Sequence, residues 1–366
     1  MALKRGLLRL GTAERYLARE IYQATALVLF AFLMLFAFFD LINELGSVGQ
    51  GGYKIQHAIG FVALTLPGRC YELMPVAVLI GSLYALTQLA RHSEITVLRA
   101  SGAATADFVM ALMKIGSVFV LLVFLIGEVV APPAEKAAQQ LRLGAMNQLV
   151  ANEFRSGLWV KDEQAFINAA DVTPDAGLRG VRIYQVDQRF RLQSISEAAQ
   201  GEFRQPDTWH FTDVTRTTFE GDRVRVEKMS ELNWNSSLNP DILSVLMVNP
   251  ERMSIYRLGQ YIGHLAANQQ KTDRYVIALW KKLVYPFACL VMLVLALPFA
   301  YLQDRMGNVS IKVFVGIMLG VLFNLLNGLF SSLGIINQWT PFVSAITPSV
   351  IFVLIASGLL WWSERR

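Results

Sequence analysis

Cysteine is nearly absent from this chain: there are two in 366 residues, Cys70 and Cys289, each inside an apolar run. That leaves no basis for a disulfide framework or a thiolate metal site. Histidine is almost as scarce. His57, His92, His210 and His264 are scattered singly with no H-E-x-x-H pair, so nothing supports a zinc hydrolase. No glycine-rich loop ends in Lys-Ser/Thr, and no G-x-S-x-G elbow occurs. The chain therefore has no P-loop nucleotide site and no hydrolase nucleophile signature. Charged residues make up only 17% of the sequence. The net charge of +5 comes with Lys4, Arg5, Arg9, Arg15 and Arg19 crowded at one end and Arg365 and Arg366 at the other. Basic residues flanking apolar spans are a membrane-topology signal rather than a nucleic-acid footprint, so no nucleic acid partner is expected.

What the chain has instead is apolar length. Its hydrophobic fraction is 54% and its mean hydropathy is +0.41. Six runs, one of them interrupted, approach membrane-spanning length at residues 22–43, 58–90, 108–131, 275–301, 309–334 and 341–362. Roughly 20 mostly apolar residues cross a bilayer as a helix. The runs divide three and three around residues of quite different texture. The first run is too long for a signal-peptide core and no small-x-small site follows it before Asp40, so it reads as a retained span.

Loop charges alternate. Five Lys/Arg residues precede span 1, Lys54 alone follows it, and Arg91 and Arg99 lie between spans 2 and 3. Arg305, with Lys312 just beyond, lies between spans 4 and 5; the loop between spans 5 and 6 is uncharged, and the basic tail closes the pattern. This places both termini in the cytoplasm and the large insert across the membrane, in the periplasm of a Gram-negative cell. Within span 2, Arg69 and Glu72 stand beside Pro67 and Pro75. They either face a cavity or partner, or belong to an interfacial turn before a span that begins near Leu73. Asp40, Glu72 and Glu128 all lie toward span ends and none at mid-membrane, which gives little support to a proton-driven carrier.

The insert turns to period-two alternation. Candidate strands are 158–161, 165–172, 180–186, 192–203, 208–218 and 223–234, with turns around Gly177 and at 187–189, 205–207 and 220–222. Short strands at this spacing predict an all-β sandwich or jelly roll. Helical patterns flank it at 134–150 and 254–269, the second with a stripe of Ile255, Leu258, Tyr261, Ile262 and Leu265. The expected fold is an α-helical membrane protein with six transmembrane helices and an all-β, jelly-roll-like periplasmic domain between helices 3 and 4. Its parts are residues 1–133 with a short cytoplasmic helix near 90–102, then 134–270, then 271–366.

That short segment, LARHSEITVLRASGA at 89–103, mixes apolar and polar residues at helical period, with Ser93 placed to cap and Glu94 in the first turn. The pattern suits either an amphipathic helix docking in a partner's groove or a plain interfacial connector. The segment also closely resembles the cytoplasmic coupling helix of the lipopolysaccharide-export permeases, the YjgP/YjgQ (LptF/LptG) family. Further resemblances follow in order: GEVVAPPAEKAAQQLR, SGLWVKD, RLQSISEAAQGEF, TWHF and NPERMSIYRLGQYI. They extend over essentially the whole chain, and APPAE and GLWVKD are more like the G-type branch than the F-type.

The resemblance implies a non-catalytic transport subunit paired with an F-type paralogue. A cytoplasmic ATPase dimer would bind the ATP and Mg, leaving no cofactor in this chain. Lipopolysaccharide would be taken from the outer leaflet of the inner membrane and passed through the β domains to a periplasmic bridge protein, with a bitopic LptC-like subunit joining. By the same resemblance, Ser93, Glu94, Leu98 and Arg99 would couple to the ATPase. Arg142, with Lys136 assisting, would meet headgroup phosphates, for which a planar guanidinium is suited; ordinary interfacial anchoring would equally explain both. Phe32, Leu35, Phe36 and Phe39 on span 1, with Phe323, Asn324 and Asn327 on span 5, would form the lipid cavity and gate, although the span 1 stripe equally suits a lipid-facing surface. Asp40, Asn43, Gly46 and Ser47 stand where some members carry basic residues, which puts a span 1 headgroup contact in doubt. Two rival readings are a membrane scaffold for bridge assembly and a lipid-modifying enzyme built around Glu128 to Arg142.

Overall fold

The structure, a computed structural model, describes residues 11–49, 52–146, 157–162, 164–172, 177–187, 189, 191–204, 208–220, 223–236, 250–267, 269–301 and 309–364. Lys4, Arg5, Arg9, Arg305, Arg365 and Arg366 lie outside the described residues, as do the expected turn positions 205–207 and 221–222 and the helix end at 147–150.

Among the described residues, six helices are long and apolar enough to cross a membrane: Thr12–Leu45, Ile55–Arg91, Thr105–Arg142, Asp273–Phe299, Ser310–Ile336 and Pro341–Trp362. In chain order the helices are α1 (Thr12–Leu45), α2 (Ile55–Arg91), α3 (Glu94–Ala100), α4 (Thr105–Leu125), α5 (Ala131–Met146), α6 (Ile255–Ala267), α7 (Asp273–Val284), α8 (Ala288–Tyr301), α9 (Val309–Ile336) and α10 (Pro341–Glu364). Two spans change helical pitch, each next to proline. Between α4 and α5, Ile126–Val130 widens into a π turn, with Ala131 N–H donating five residues back to Ile126 O. Pro132 and Pro133 have no N–H for the next two rungs, so the helix re-registers there. Between α7 and α8, Tyr285–Phe287 tightens to a 3-10 turn around Pro286. By contrast α2 runs unbroken through Pro67 and Pro75. Of the two readings of this stretch, the turn before Leu73 is thereby set aside: Arg69 and Glu72 lie inside a continuous helix and pair with each other at 3.2 Å.

The chain forms two compact units. One combines the segments up to Phe39, Thr65–Pro132 and Asp273 onward; the other combines Asp40–Leu64 with Pro133–Thr272. The first unit is centred on α2, α4 and α8, where Leu79, Leu83, Leu86, Leu112, Met292 and Leu293 are buried together. Span 2 is the most enclosed, with 83% of its most apolar window buried, and span 1 the least, with 6%. Span 1 is held mainly through its early turns, where Ala18, Ile21, Ala24 and Thr25 are buried. Gly81 of α2 permits the closest approach: a Cβ there would stand 2.6 Å from the Thr25 backbone. Without a hydrophobic drive between helices in lipid, close contact of this kind carries much of the association.

The second unit contains the sheet. Strands β1 (Leu158–Asp162), β2 (Ala165–Val172), β3 (Leu178–Val186), β4 (Leu192–Arg204), β5 (Thr208–Glu220) and β6 (Arg223–Asn235) lie within two residues of the positions the alternation predicts. The all-β expectation stands. The described strands form one sheet in the order β1-β2-β3-β4-β5-β6, every neighbouring pair antiparallel. Ile167, Val181, Ile183, Trp209, Phe211 and Val214 are buried in its core. Gly201 is paired with Phe211, whose ring occupies the space a side chain at 201 would need. The 3-10 turn before α6 is fastened by Arg252, which donates to the buried Glu135 at 2.9 Å.

Replacing Gly81 with Val forces the Thr25 contact apart. Overpacking of this kind costs about 1–3 kcal/mol, so the Gly81→Val protein melts at a lower temperature than the parent in the same detergent. An unchanged melting temperature means that span 1 is held elsewhere.

Candidate functional site

Three groups of residues were singled out from sequence, and the structure treats them differently. The first surrounds α3. Ile95 is buried in the core of the first unit, Leu98 is packed beside it, and Val97 and Arg99 are exposed. The amphipathic reading of the segment therefore matches its burial. Ser93 does not cap the helix as expected: its backbone is left-handed, with φ at 61°, and its hydroxyl makes no cap bond. The abrupt reversal after α2 takes Ser93 out of the extended conformation that side-chain capping needs. Glu94 is half-buried and accepts the Tyr16 hydroxyl at 3.4 Å. Between α3 and the first turns of α1 and α4 lies a cavity of about 420 Å³, walled by Leu17, Leu89, Ile95, Leu98 and Phe108. Glu14, near its opening turn, pairs with Lys114 at 2.9 Å.

The second group belongs to the other unit. Arg142 Nε lies 3.3 Å from Glu44 Oε1, and the Tyr53 hydroxyl donates to the same oxygen at 2.8 Å. The Arg142 guanidinium also lies over the Phe61 ring, 5.4 Å from its centroid. Glu44 and Tyr53 are buried, whereas 35% of the Arg142 side chain is exposed. Burial, reinforced by the hydrogen bond and charge of Glu44, pushes the Tyr53 phenol above its ordinary value, so it remains a donor. Lys136 is half-buried earlier on α5 and takes no part in this cluster. Glu44 and Tyr53 were missed from sequence. Glu44 follows Asp40 by one helical turn at the end of an apolar run, which marks a polar face, but nothing marks a tyrosine in a glycine-rich loop as its partner.

The third group divides. On α1, Leu35 and Phe39 are exposed while Phe32 and Phe36 are half-buried, the Arg69 guanidinium lying 5.7 Å from the Phe36 ring centroid. On α9, Asn324 is exposed. Phe323 is 1% exposed and meets Phe352 edge to face at 5.2 Å. Asn327 is also buried, and its amide nitrogen has no hydrogen-bond partner among the described residues. One unforeseen pair lies at the π turn, where Lys282 Nζ stands 3.6 Å from Glu128 Oε2 with the lysine 6% exposed.

Among the described residues, six apolar helices, an inserted antiparallel sheet and a short helix between spans 2 and 3 define a polytopic membrane architecture. The chain belongs to the lipopolysaccharide export system permease LptF/LptG family, whose model matches residues 15–362. It is 30% identical to the lipopolysaccharide export system permease protein LptG of Escherichia coli K12 over 352 residues, covering 96% of this chain and 98% of that protein. It is 28% identical to LptG of Haemophilus influenzae over 358 residues, covering 98% and 99%. The similarity to LptF of Escherichia coli K12, also 30%, extends over only 119 residues, 32% of each chain. Within the family, therefore, the chain is LptG-like.

Removing Arg142 leaves the Glu44 carboxylate buried beside a tyrosine and without its cation. Breaking a buried pair costs about 3–5 kcal/mol, and the partial exposure of Arg142 brings the expected loss to about 1–3 kcal/mol. Arg142→Ala therefore lowers the melting temperature, and adding Glu44→Gln restores most of it. If the double variant melts no higher than the single, the carboxylate is not what the arginine stabilises.

Proposed function

We propose that this chain is the permease subunit of an ATP-driven exporter that withdraws lipopolysaccharide from the outer leaflet of the inner membrane and passes it to a periplasmic bridge. The observation that carries this reading is the near-complete alignment with two LptG proteins, in a chain that has an exposed coupling-type helix and no nucleotide motif. Both termini and α3 lie in the cytoplasm and the β domain in the periplasm, a reading the loop charges support. ATP and Mg belong to a cytoplasmic ATPase dimer. An F-type paralogue completes the cavity, and the local similarity to LptF is what two subunits of common ancestry would retain. A bitopic LptC-like subunit links the pair to the bridge.

In this assembly the exposed Val97 and Arg99 and the polar edge at Glu94 meet the ATPase, while Ile95 and Leu98 transmit its movement into the core of the first unit. An exposed ion pair supplies under about 1 kcal/mol, so Glu94 sets the docking geometry more than the affinity. Leu35 and Phe39 offer an acyl chain an apolar wall, with about 0.8 kcal/mol per buried methylene available. Arg142 presents its guanidinium to a headgroup phosphate.

The test is ATP-driven release of lipopolysaccharide from proteoliposomes containing the complete complex. Glu94→Ala lowers release by roughly fivefold or more, equal to about 1 kcal/mol of coupling, with the complex still assembled. Full release with Glu94→Ala favours a scaffold. Turnover of lipid without any ATPase favours an enzyme.

A further inference from the structure

The proposed role of Arg142 raises a question of geometry. A guanidinium on a long flexible stem loses rotamer freedom when it grips a phosphate, and a site that orients it beforehand avoids that cost. Here two contacts fix its plane. Glu44 takes the Nε edge at 3.3 Å, and Phe61 lies against the face with its centroid 5.4 Å away. Glu44 is itself fixed from behind, because Tyr53, 1% exposed, donates to the same carboxylate oxygen at 2.8 Å. The Tyr53 loop is held in turn by Gly49 N–H, which donates to the Tyr53 carbonyl at 2.9 Å. The two terminal nitrogens of Arg142 form the edge of a guanidinium that binds a phosphate in a fork.

We propose that Glu44 and Tyr53 are positioning residues that hold the terminal fork of Arg142 ready for a phosphate of the lipid headgroup. This rests on the reading that Arg142 meets such a phosphate. The carboxylate has two opposing effects: it orients the guanidinium, and its charge repels the incoming anion. A decisive variant must therefore disturb the geometry while keeping every formal charge. Tyr53→Phe removes one hydroxyl, and Glu44→Asp withdraws the carboxylate by one methylene.

The full chain in nanodiscs is titrated with fluorescent bisphosphorylated lipid A and with the same lipid stripped of its phosphates. The quantity read is the ratio of the two affinities. In Tyr53→Phe and Glu44→Asp this phosphate preference falls by roughly three- to tenfold, the scale of one oriented hydrogen bond, while affinity for the stripped lipid is unchanged. A merely structural role weakens both lipids alike and leaves the ratio intact, which overturns the inference. So does an intact ratio in both variants when the double variant Arg142→Ala with Glu44→Gln loses the preference; in that case the Arg142 reading survives alone. A preference that persists in the double variant overturns the Arg142 reading, and the inference with it.

Discussion

Hydrocarbon offers no hydrogen bonds, and that constraint governs where this chain is regular and where it is not. Most of its length in the spans is plain helix, with each amide satisfied one turn away. The π turn at Ile126–Val130 and the 3-10 turn at Tyr285–Phe287 are breaks in that scheme, and polar side chains gather near both. Lys282 reaches Glu128 at the first, and the Tyr285 hydroxyl donates to the Glu72 carbonyl at 2.6 Å from the second. Elsewhere Tyr22 donates to Ile115 O at 3.1 Å and Lys312 to Phe299 O at 2.8 Å. A lone ionised group in an apolar interior is costly, so these side chains are held where backbone or a counter-charge meets them.

The same economy separates the two charged clusters singled out as functional. Around α3 the ionisable groups are near the surface, with Glu94 meeting Tyr16 of α1 and Glu14 meeting Lys114 of α4. Around Arg142 the carboxylate and phenol are buried and only the guanidinium reaches solvent. A buried carboxylate–phenol pair carrying an exposed cation is a rigid mount, and on the proposed reading it is the part of the chain that meets the lipid's charge. On the same proposed reading, the energy for transport enters elsewhere, through a partner ATPase, since this sequence carries no P-loop motif.

Much of the fold was legible because its signals are periodic. Spans show as apolar length and strands as alternation, so both survive without knowledge of tertiary contacts. Strand order was not legible, since alternation places Ile167 and Val181 on the inward face whatever strand lies beside them. The candidate site was legible only in part. Glu94 and Arg142 stood out through family resemblance, and Leu35 and Phe39 through helical spacing. The contact of Phe323 with Phe352 was not legible, because an aromatic on a span reads the same whichever neighbour it faces. Glu44 and Tyr53 were missed because their pairing depends on a loop fold that joins residues nine positions apart. Ser93 failed as a cap for a similar reason: residue type predicts capping, but the backbone angle decides it.

The central claim is that this chain works as one subunit of an export complex. Native mass spectrometry of the affinity-tagged full chain, co-expressed with its genomic neighbours and extracted in mild detergent, tests it most directly. The account predicts a particle with one copy of this chain, one paralogous permease, two ATPase subunits and a bound phosphorylated glycolipid. A lone chain or a homo-oligomer, with no ATPase attached, would contradict it.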